Sequence, residues 1–254
     1  MNEAMDNDVP WFEQALQEQG IALRPEQRSQ FELYYRELVA WNEKMNLTAI
    51  TDREQVYAKH FYDSLTLAFR LPMNEIATMA DIGSGAGFPA LPVKIVYPHL
   101  RVVIIDSLNK RIQFLQHLTG RLGLDHVECV HARAEDAGRS PQFRDQFDLA
   151  AARAVARLSV LNELCLPFVK KDGIFAAMKG AEPAAEIAEA EFSAAELNAR
   201  LMEQHSFSLP FDGSRRNLIL YKKLGATPRK YPRKPGVPGK NPLVRPAIVP
   251  RETI

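Results

Sequence analysis

From about residue 75 the chain alternates short apolar runs with amphipathic helical segments, and this alternation limits the possible folds more than any other feature. A first strand ends at Asp81 and Ile82. Further runs with the length and composition of buried strands lie at 101–106, 126–131, 147–153 and 173–180. Strands that alternate with helices pair in parallel, because each helix carries the chain back across the sheet. The sequence therefore predicts an α/β fold.

The segments after the fifth strand predict how the sheet ends. Apolar residues at helical spacing predict a helix from Ala184 to about Glu203. HSFSLP at 205–210 and NLILYKK at 217–223 are separated by FDGSRR, which is typical of an antiparallel hairpin. Five parallel strands and a hairpin resemble the seven-stranded, mostly parallel sheet of S-adenosylmethionine-dependent methyltransferases. We therefore predict a Rossmann-like class I methyltransferase fold with helices on both faces of the sheet.

The two ends of the chain differ from this central part, for which we predict a domain at 73–224. Residues 1–72 carry only helical periodicity, interrupted by WNEKMNLTAIT at 41–51, and predict a small helical cap with a loop at that interruption. Residues 225–254 contain seven prolines interleaved with Lys and Arg. Because proline at this density disfavours helix and central strand, we predict an extended basic arm.

Composition excludes several classes of protein. The chain has 254 residues, of which 46% are hydrophobic, so it can bury a core. No apolar stretch approaches the roughly 18 residues that a membrane span needs, and the acidic start lacks a signal sequence, so we expect a cytoplasmic protein. The six histidines show no metal-ligand spacing. Cys129 and Cys165 are expected to be buried free thiols.

Charge is distributed unevenly along the chain. Between Gly213 and Arg251 there are eleven Lys and Arg and no Asp or Glu, whereas the other residues include 21 basic and 31 acidic side chains, a net charge of −10. This pattern favours a polyanionic partner, either nucleic acid or an anionic membrane surface. We expect phosphate contacts from Arg215, Arg216, Arg229, Lys230, Arg233 and Lys234. The alternative for the arm is a solubilising or disordered tail.

The first strand leads into DIGSGAGFP, in which Gly83, Gly85 and Gly87 follow a GxGxG spacing. The dinucleotide fingerprint is GxGxxG, so this loop is one residue tighter, which suits an aminoacyl sulfonium ligand better than a pyrophosphate. The alternative is a glycine-rich turn without a ligand. Asp106 ends the second strand, where a carboxylate can accept both ribose hydroxyls of an adenosine; it could instead cap the following helix.

Other candidate residues follow the later strands. Ala134 and Glu135 in HARAED would lie beside the adenine, although Glu135 could be only a first-turn carboxylate. Arg153 and, with a weaker claim, Lys179 end the fourth and fifth strands at the edge where α/β folds bind ligands.

Motifs that the chain lacks narrow the chemistry. It has no Pro-Cys nucleophile, no Asn/Asp-Pro-Pro-Tyr/Phe clamp for exocyclic amines, and no Tyr-x-x-x-Lys pair for hydride transfer. A ring nitrogen such as guanine N7 needs no general base, so its methylation could proceed by positioning alone.

Several motifs occur together in one order: WNEKMNLTAIT, KHFYDSL at 59–65, DIGSGAGFPALPVKI, DSLNKRIQFL, HARAED and YPRKPGVPGKNP. In this combination the chain resembles the RsmG/GidB family. The resemblance implies methyl transfer from S-adenosylmethionine to N7 of a guanine in 16S ribosomal RNA, near the decoding site. It also implies that the KHFYDS segment, with His60 and Asp63, lies near the target base, although the two could form a simple surface pair. The cofactor contacts it implies are Gly83, Phe88, Ala134, Glu135 and Arg153.

Two other functions remain open from the sequence. A non-catalytic RNA-binding factor for ribosome assembly could use the same fold and arm, and an NAD-dependent oxidoreductase could use the loop and Asp106. The glycine spacing and the absent Tyr/Lys pair disfavour the oxidoreductase. The expected partner is 16S ribosomal RNA, in the small subunit or an assembly intermediate, and we expect a monomer.

Overall fold

A computed structural model describes residues 9–153, 156–180 and 183–245, and its centre is one mixed sheet. The strands are β1 Thr78–Ile82, β2 Arg101–Asp106, β3 Val127–His131, β4 Phe147–Arg153, β5 Val169–Lys179, β6 Ala199–Ser208 and β7 Arg215–Lys223. Their spatial order is β3-β2-β1-β4-β5-β7-β6. Strands β1 to β5 pair in parallel, and β7 is antiparallel to both β5 and β6. The predicted fold class is confirmed.

Helices precede the sheet, cover it and follow it. The α-helices are α1 Pro10–Glu18, α2 Pro25–Met45, α3 Arg53–Val56, α4 Asp63–Leu65, α5 Ala90–Val96, α6 Asn109–Leu122, α7 Ala134–Ala137, α8 Leu158–Cys165, α9 Ala184–Glu196 and α10 Val237–Lys240. A π-helical stretch, Tyr57–Tyr62, joins α3 to α4, and 3₁₀ turns occupy Thr66–Phe69 and Leu166–Phe168.

The predicted helix from Ala184 to about Glu203 is wrong at its end. The helix α9 stops at Glu196, and Asn198 has a positive φ of 53° that no continuing helix adopts. From Ala199 the chain pairs with β7, opposite Lys223, and forms the edge strand β6. The apolar spacing is compatible with both structures, and the pairing with β7 decides between them.

The predicted loop at 41–51 also begins too early. The helix α2 continues to Met45, and the loop begins at Asn46, which has a φ of 48°. The ring of Trp41 lies 5.6 Å from that of Phe114 on α6. This contact with α6 extends the helix beyond the break in its apolar period.

The N-terminal helices pack on one face of the sheet and share its core. Phe12, Phe31 and Phe61 from these helices belong to the same buried cluster as Val102 and Ile104 of β2. A second buried hydrophobic cluster lies on the opposite face of the sheet, where strand residues pack with residues of α8 and α9. The proposed division into a cap at 1–72 and a domain at 73–224 therefore crosses one continuous hydrophobic core.

The C-terminal segment 225–245 lies against the sheet domain. Arg144 donates hydrogen bonds to the carbonyl oxygens of Thr227, Pro228 and Tyr231 at 2.8–3.1 Å, and Tyr231 is only 5% exposed. Most of the segment has no regular secondary structure, as predicted for an arm. The expectation that its prolines exclude helix was wrong for α10, because Pro238 occupies a first-turn position where no N–H is needed. Residues 246–254 of the predicted arm and 1–8 of the predicted cap lie outside the described residues.

Both cysteines are free, and Cys165 is buried whereas Cys129 is half-buried. Burial raises the pKa of both thiols, that of Cys129 to about 11. Neither thiol therefore has the character of a nucleophile. No helix in the described ranges combines the length and apolar character that crossing a bilayer requires.

Candidate active site

The glycine loop after β1 adopts a conformation that requires glycine. Gly83, Gly85 and Gly87 have φ values of 74°, 63° and 104°. A Cβ on Gly87 would lie 2.5 Å from the hydroxyl of Tyr34, which donates a 2.6 Å hydrogen bond to the Ala86 carbonyl. A Cβ on Gly85 would have no atom within 4 Å. The loop is therefore held against α2 on one side and opens toward a cavity on the other.

A buried carboxylate lies beneath this loop. Asp81 Oδ2 accepts hydrogen bonds from Ser84 Oγ at 2.7 Å and from the Ala90 amide at 3.0 Å. Its other oxygen, Oδ1, is buried and has no hydrogen-bond partner among the described residues. Burial raises the pKa of Asp81 to about 6, partly opposed by these two hydrogen bonds. Sequence reasoning noted the acidic strand end but assigned it no role.

Asp106 contacts both the loop and the helix that follows it. Its Oδ2 accepts from the Gly85 amide at 3.1 Å and lies 3.3 Å from Arg111 Nη1, and its Oδ1 accepts from the Leu108 amide at 2.9 Å. The bond to the Leu108 amide lies before the first helical residue, Asn109, and α6 has no side-chain cap, so the capping alternative is not realised. Asp106 is 2% exposed, so its carboxylate is held firmly at the carboxyl end of β2.

Phe88 is the centre of an aromatic stack at the rim of the loop. Its ring lies 5.4 Å from that of Tyr34 at an interplanar angle of 7°, and 4.6 Å from that of His60 at 24°. The guanidinium carbon of Arg153 lies 4.8 Å from the Phe88 ring centroid, a cation–π distance. The stack joins α2, the π-helical stretch and β4 at one point. Tyr34 was missed because its helical spacing made it look like an ordinary core residue.

His60 is held as a neutral ring. Its Nδ1 lies 3.3 Å from Arg153 Nη2 and 3.1 Å from the Lys59 carbonyl oxygen, and its Nε2 lies 2.9 Å from Thr48 Oγ1. Burial and the positive charge of Arg153 lower the pKa of His60 to about 3. Thr48, in the loop after α2, was not singled out from the sequence; its position where the helical period breaks was the available signal.

Arg153 and Asp63 form a buried ionic cluster with Arg216. Arg153 Nη1 donates to the Lys59 carbonyl at 2.9 Å and lies 3.3 Å from Asp63 Oδ2. The same oxygen lies 3.4 Å from Arg216 Nε on β7. Asp63 is 3% exposed, and burial raises its pKa although both arginines lower it. The structure thus brings together His60 and Asp63, predicted to lie near the target base, and Arg153, predicted at the ligand-binding edge of the sheet.

Two cavities meet at this cluster. One, of about 270 Å³, lies under the glycine loop and is lined by Gly83, Gly85, Phe88 and Arg111. The other, of about 320 Å³, lies beside β5 and β7 and is lined by Asp63, Met178, Phe207, Arg216 and Asn217. His60 and Arg153 line both cavities.

The residues at the first cavity are compatible with a ligand that has an adenosine and an amino-acid end. Gly85 lines the cavity and leaves open space, and the Asp106 carboxylate, which accepts from the Gly85 amide, is the kind of acceptor that ribose hydroxyls need. Asp81 and Asp106 lie behind this lining. Among the described residues there is no group of His, Cys, Asp and Glu side chains that could hold a metal ion.

Of three other predicted site residues, Lys179 lines the second cavity, whereas Ala134 and Glu135 line neither cavity. The Lys179 ammonium donates to the Ala156 carbonyl and pairs with Glu186, both at 2.9 Å, so only the stem of Lys179 faces the second cavity. Ala134 and Glu135 follow β3, and Glu135 Oε1 accepts from the amide of Gly236 in the C-terminal segment at 2.8 Å.

The predicted RNA-binding residues divide into two groups. Arg215, Arg229 and Lys234 are exposed. Three others are engaged by carboxylates: Arg216 by Asp63, Lys230 by Glu196 at 2.7 Å, and Arg233 by Glu163 at 2.6 Å. The expectation that Arg233 is free for phosphate is corrected, because Glu163 is fully buried and its charge requires this partner.

Comparison with known proteins identifies the family. The family model described as rRNA small subunit methyltransferase G matches residues 27–219. The chain belongs to this family. A relative from Bacillus velezensis named ribosomal RNA small subunit methyltransferase G is 53% identical over 236 residues, covering 93% of this chain and 99% of the relative. A protein of the same name from Bacillus subtilis is 52% identical with the same coverage.

Similarity to solved structures supports the fold of this methyltransferase family member and not a particular reaction. The structure of the [4+2]-cyclase SpnF aligns with a TM-score of 0.51 at 14% identity, covering 65% of this chain and 82% of SpnF. A protein described as a cyclase therefore shares the sheet architecture of this chain. Function in the rRNA small subunit methyltransferase G family has to be argued from the site.

Proposed function

We propose that this protein transfers a methyl group from S-adenosylmethionine to N7 of a guanine in 16S ribosomal RNA. The observation that carries the proposal is the pair of adjoining cavities that share His60 and Arg153. A methyl transfer needs two ligands held in line across such a border, and the family membership supports ribosomal RNA as one of them. We place the reaction in the cytoplasm, where this RNA is found.

The loop cavity is the proposed cofactor site. The carboxylate of Asp106 would accept the ribose hydroxyls, Gly85 leaves space for close approach, and Phe88 borders the ligand at the entrance to the second cavity. Ala134 and Glu135 would flank the adenine. When bound, S-adenosylmethionine supplies an electrophilic methyl on a positively charged sulfur.

The second cavity is the proposed site of the target base. His60 is uncharged and both of its ring nitrogens are engaged, so it orients neighbouring groups and does not remove a proton. Guanine N7 presents a lone pair in the plane of the ring and needs no deprotonation. The chain's part is therefore to hold N7 facing the cofactor cavity, with Arg153 at the border.

The exposed basic residues are the proposed RNA-binding surface. Arg215 begins β7 beside the second cavity, and Lys234 lies two residues from Gly236, which contacts Glu135 after β3, where the adenine is proposed to lie. Arg229 lies in the same C-terminal segment as Lys234. Arg215 and Lys234 would let an RNA strand cross the carboxyl edge of the sheet with phosphate contacts on both sides of the cavities, and Arg229 would extend these contacts along the arm.

The reaction is tested by mapping the methyl group. The donor is S-adenosylmethionine with a radioactive methyl group, and we expect the label to appear at one guanine of 16S RNA. Chemical cleavage specific for 7-methylguanine should then break the RNA strand at that guanine. Naked RNA, assembly intermediates and mature subunits should be compared, since the substrate state is part of the question. RNA binding without any incorporated label in all three would support the assembly-factor alternative and refute the proposed reaction.

The arm's role in RNA binding has a separate test. The double variant Arg229→Ala, Lys234→Ala is expected to lower the slope of log affinity against log salt by roughly 0.7 for each phosphate that the variant no longer neutralises. Fluorescence anisotropy with a 16S RNA fragment measures it. The matched control, Lys171→Ala with Arg200→Ala, removes one exposed lysine on β5 and one exposed arginine on β6, both outside the arm, and should leave the slope unchanged. Equal slopes in both variants would show that the arm makes no phosphate contacts with the RNA.

A further inference from the structure

Asp63 has one carboxylate oxygen that its two arginines do not use. Oδ2 lies 3.3 Å from Arg153 and 3.4 Å from Arg216, whereas Oδ1 is buried and has no hydrogen-bond partner among residues 9–153, 156–180 and 183–245. Buried carboxylate oxygens in folded proteins are nearly always hydrogen-bonded, because an unpaired one loses its hydration without compensation. A ligand that donates to Oδ1 would remove that deficit.

The position of Asp63 indicates which ligand this is. Asp63 lines the second cavity, together with Arg216, and the first cavity lies on the other side of Arg153. A donor that reaches Oδ1 therefore belongs to the molecule in the second cavity and not to the cofactor. Arg216 commits Nε to Asp63 and Nη1 to the Arg215 carbonyl at 2.9 Å. A guanidinium has five N–H groups, so Arg216 retains donors beside the Asp63 acceptor.

We propose that Asp63 and Arg216 select the target base by reading its O6 and N1 edge, with Arg216 donating to O6 and Asp63 Oδ1 accepting from N1–H. This inference rests on the proposed function in taking the target to be a purine methylated at N7. It adds the residues that choose between the two purines.

The two purines present opposite patterns to such a pair. Guanine has an acceptor at position 6 and a donor at position 1, which match an arginine donor beside a carboxylate acceptor. Adenine has an amino donor at position 6 and an acceptor at position 1, so it would place donor against donor and acceptor against carboxylate. A ligand that leaves buried polar groups of the site unpaired is rejected more strongly than a ligand that differs only in shape.

The placement of the three groups limits how the base can lie. Arg153 lines both cavities, whereas Asp63 and Arg216 line only the second. A base with N7 facing the cofactor cavity therefore turns its O6 and N1 edge toward Asp63 and Arg216.

A purely structural role for Asp63, holding the two arginines, predicts a different result. Loss of the carboxylate would then lower the affinity for every RNA by the same factor. Reading of the base instead changes the ratio of affinities between guanine and adenine, so this ratio is the quantity to measure. Asp63→Asn keeps the shape of the side chain and removes the charge. Asp212→Asn makes the same change in a carboxylate paired with Lys59, which lines the same cavity.

The experiment measures equilibrium binding of the full chain, without cofactor, to short uridine RNAs that carry one central guanosine, inosine or adenosine. The native protein is expected to prefer guanosine over adenosine by roughly 10- to 100-fold. Inosine, which keeps O6 and N1–H, should bind like guanosine. Asp63→Asn should bring the guanosine-to-adenosine ratio close to one, and Asp212→Asn should preserve it. Far-ultraviolet circular dichroism checks that both variants are folded.

A native ratio near one, or an unchanged ratio in Asp63→Asn, would overturn the assignment to Asp63. Methyl mapping on 16S RNA is independent of this ratio. A methylated guanine with an unchanged ratio would refute only the base-reading pair. The expected ratios without any methylated guanine would refute the proposed reaction and leave a guanine-binding site.

Discussion

Replacing Arg233 by alanine is expected to lower the free energy of unfolding by about 3–5 kcal/mol, because it leaves a buried carboxylate without its counter-ion. The side chain of Glu163 on α8 is 0% exposed, and Arg233 binds it through its backbone amide, Nε and Nη2. Urea unfolding followed by fluorescence measures the change. Adding Glu163→Gln to Arg233→Ala should recover part of the loss, since the amide carries no charge.

Lys230 provides the matched control for Arg233. It lies three residues earlier in the same segment and also pairs with a glutamate, but its side chain is 63% exposed and that of Glu196 is 29% exposed. An exposed pair contributes about 0–1 kcal/mol, so Lys230→Ala should scarcely change unfolding. Equal losses in Arg233→Ala and Lys230→Ala would mean that burial of Glu163 does not determine the energetics of this segment.

Gly87→Ala is expected to destabilise the fold by about 2–4 kcal/mol, from backbone strain together with overpacking. The φ of 104° is outside the range of alanine, and the new Cβ would lie 2.5 Å from Tyr34 Oη and 2.7 Å from Leu91 Cδ1. Relief requires Tyr34 to move, which disturbs its hydrogen bond to Ala86. A lower midpoint in thermal and urea unfolding, with a weaker near-ultraviolet signal from the aromatic stack, is the expected result.

Gly85→Ala makes the same substitution two residues earlier, without a clash. Its φ is 63° and the Cβ would project into open space, so we expect a stability loss of only about 1–2 kcal/mol from the left-handed backbone. Because that space is the proposed cofactor cavity, affinity for S-adenosylmethionine in calorimetry should fall by about tenfold or more, equivalent to about 1.4 kcal/mol. If Gly85→Ala and Gly87→Ala changed stability and affinity alike, the two sides of the loop would not differ as described.

Local sequence patterns identified the sheet almost completely. The strands predicted at 101–106 and 147–153 have those boundaries in the structure, because fully buried runs bounded by turn residues leave little freedom in register. The errors occur where tertiary contacts override local preference. Pairing with β7 makes 199–208 a strand, and packing on α6 extends α2 to Met45.

The candidate site was accessible from sequence only in part. Strand-end residues such as Asp106 and Arg153 could be found because parallel strands bring their carboxyl ends to one edge. Partners from the helices before the sheet, such as Tyr34 and Thr48, could not be assigned, since no local pattern shows which helix face meets the loop.

The sequence by itself determined the order of strands and helices, the glycine loop and the family. Apolar periodicity and glycine spacing are local properties, so they can be recognised without knowledge of the tertiary contacts. Only the tertiary structure decided how the charges are partnered. Asp63 and Arg216 are 153 positions apart, and Glu163 and Arg233 are 70 apart. Whether a charged side chain faces RNA or neutralises a buried carboxylate depends on long-range packing, which alone sets the desolvation that makes such a pair necessary.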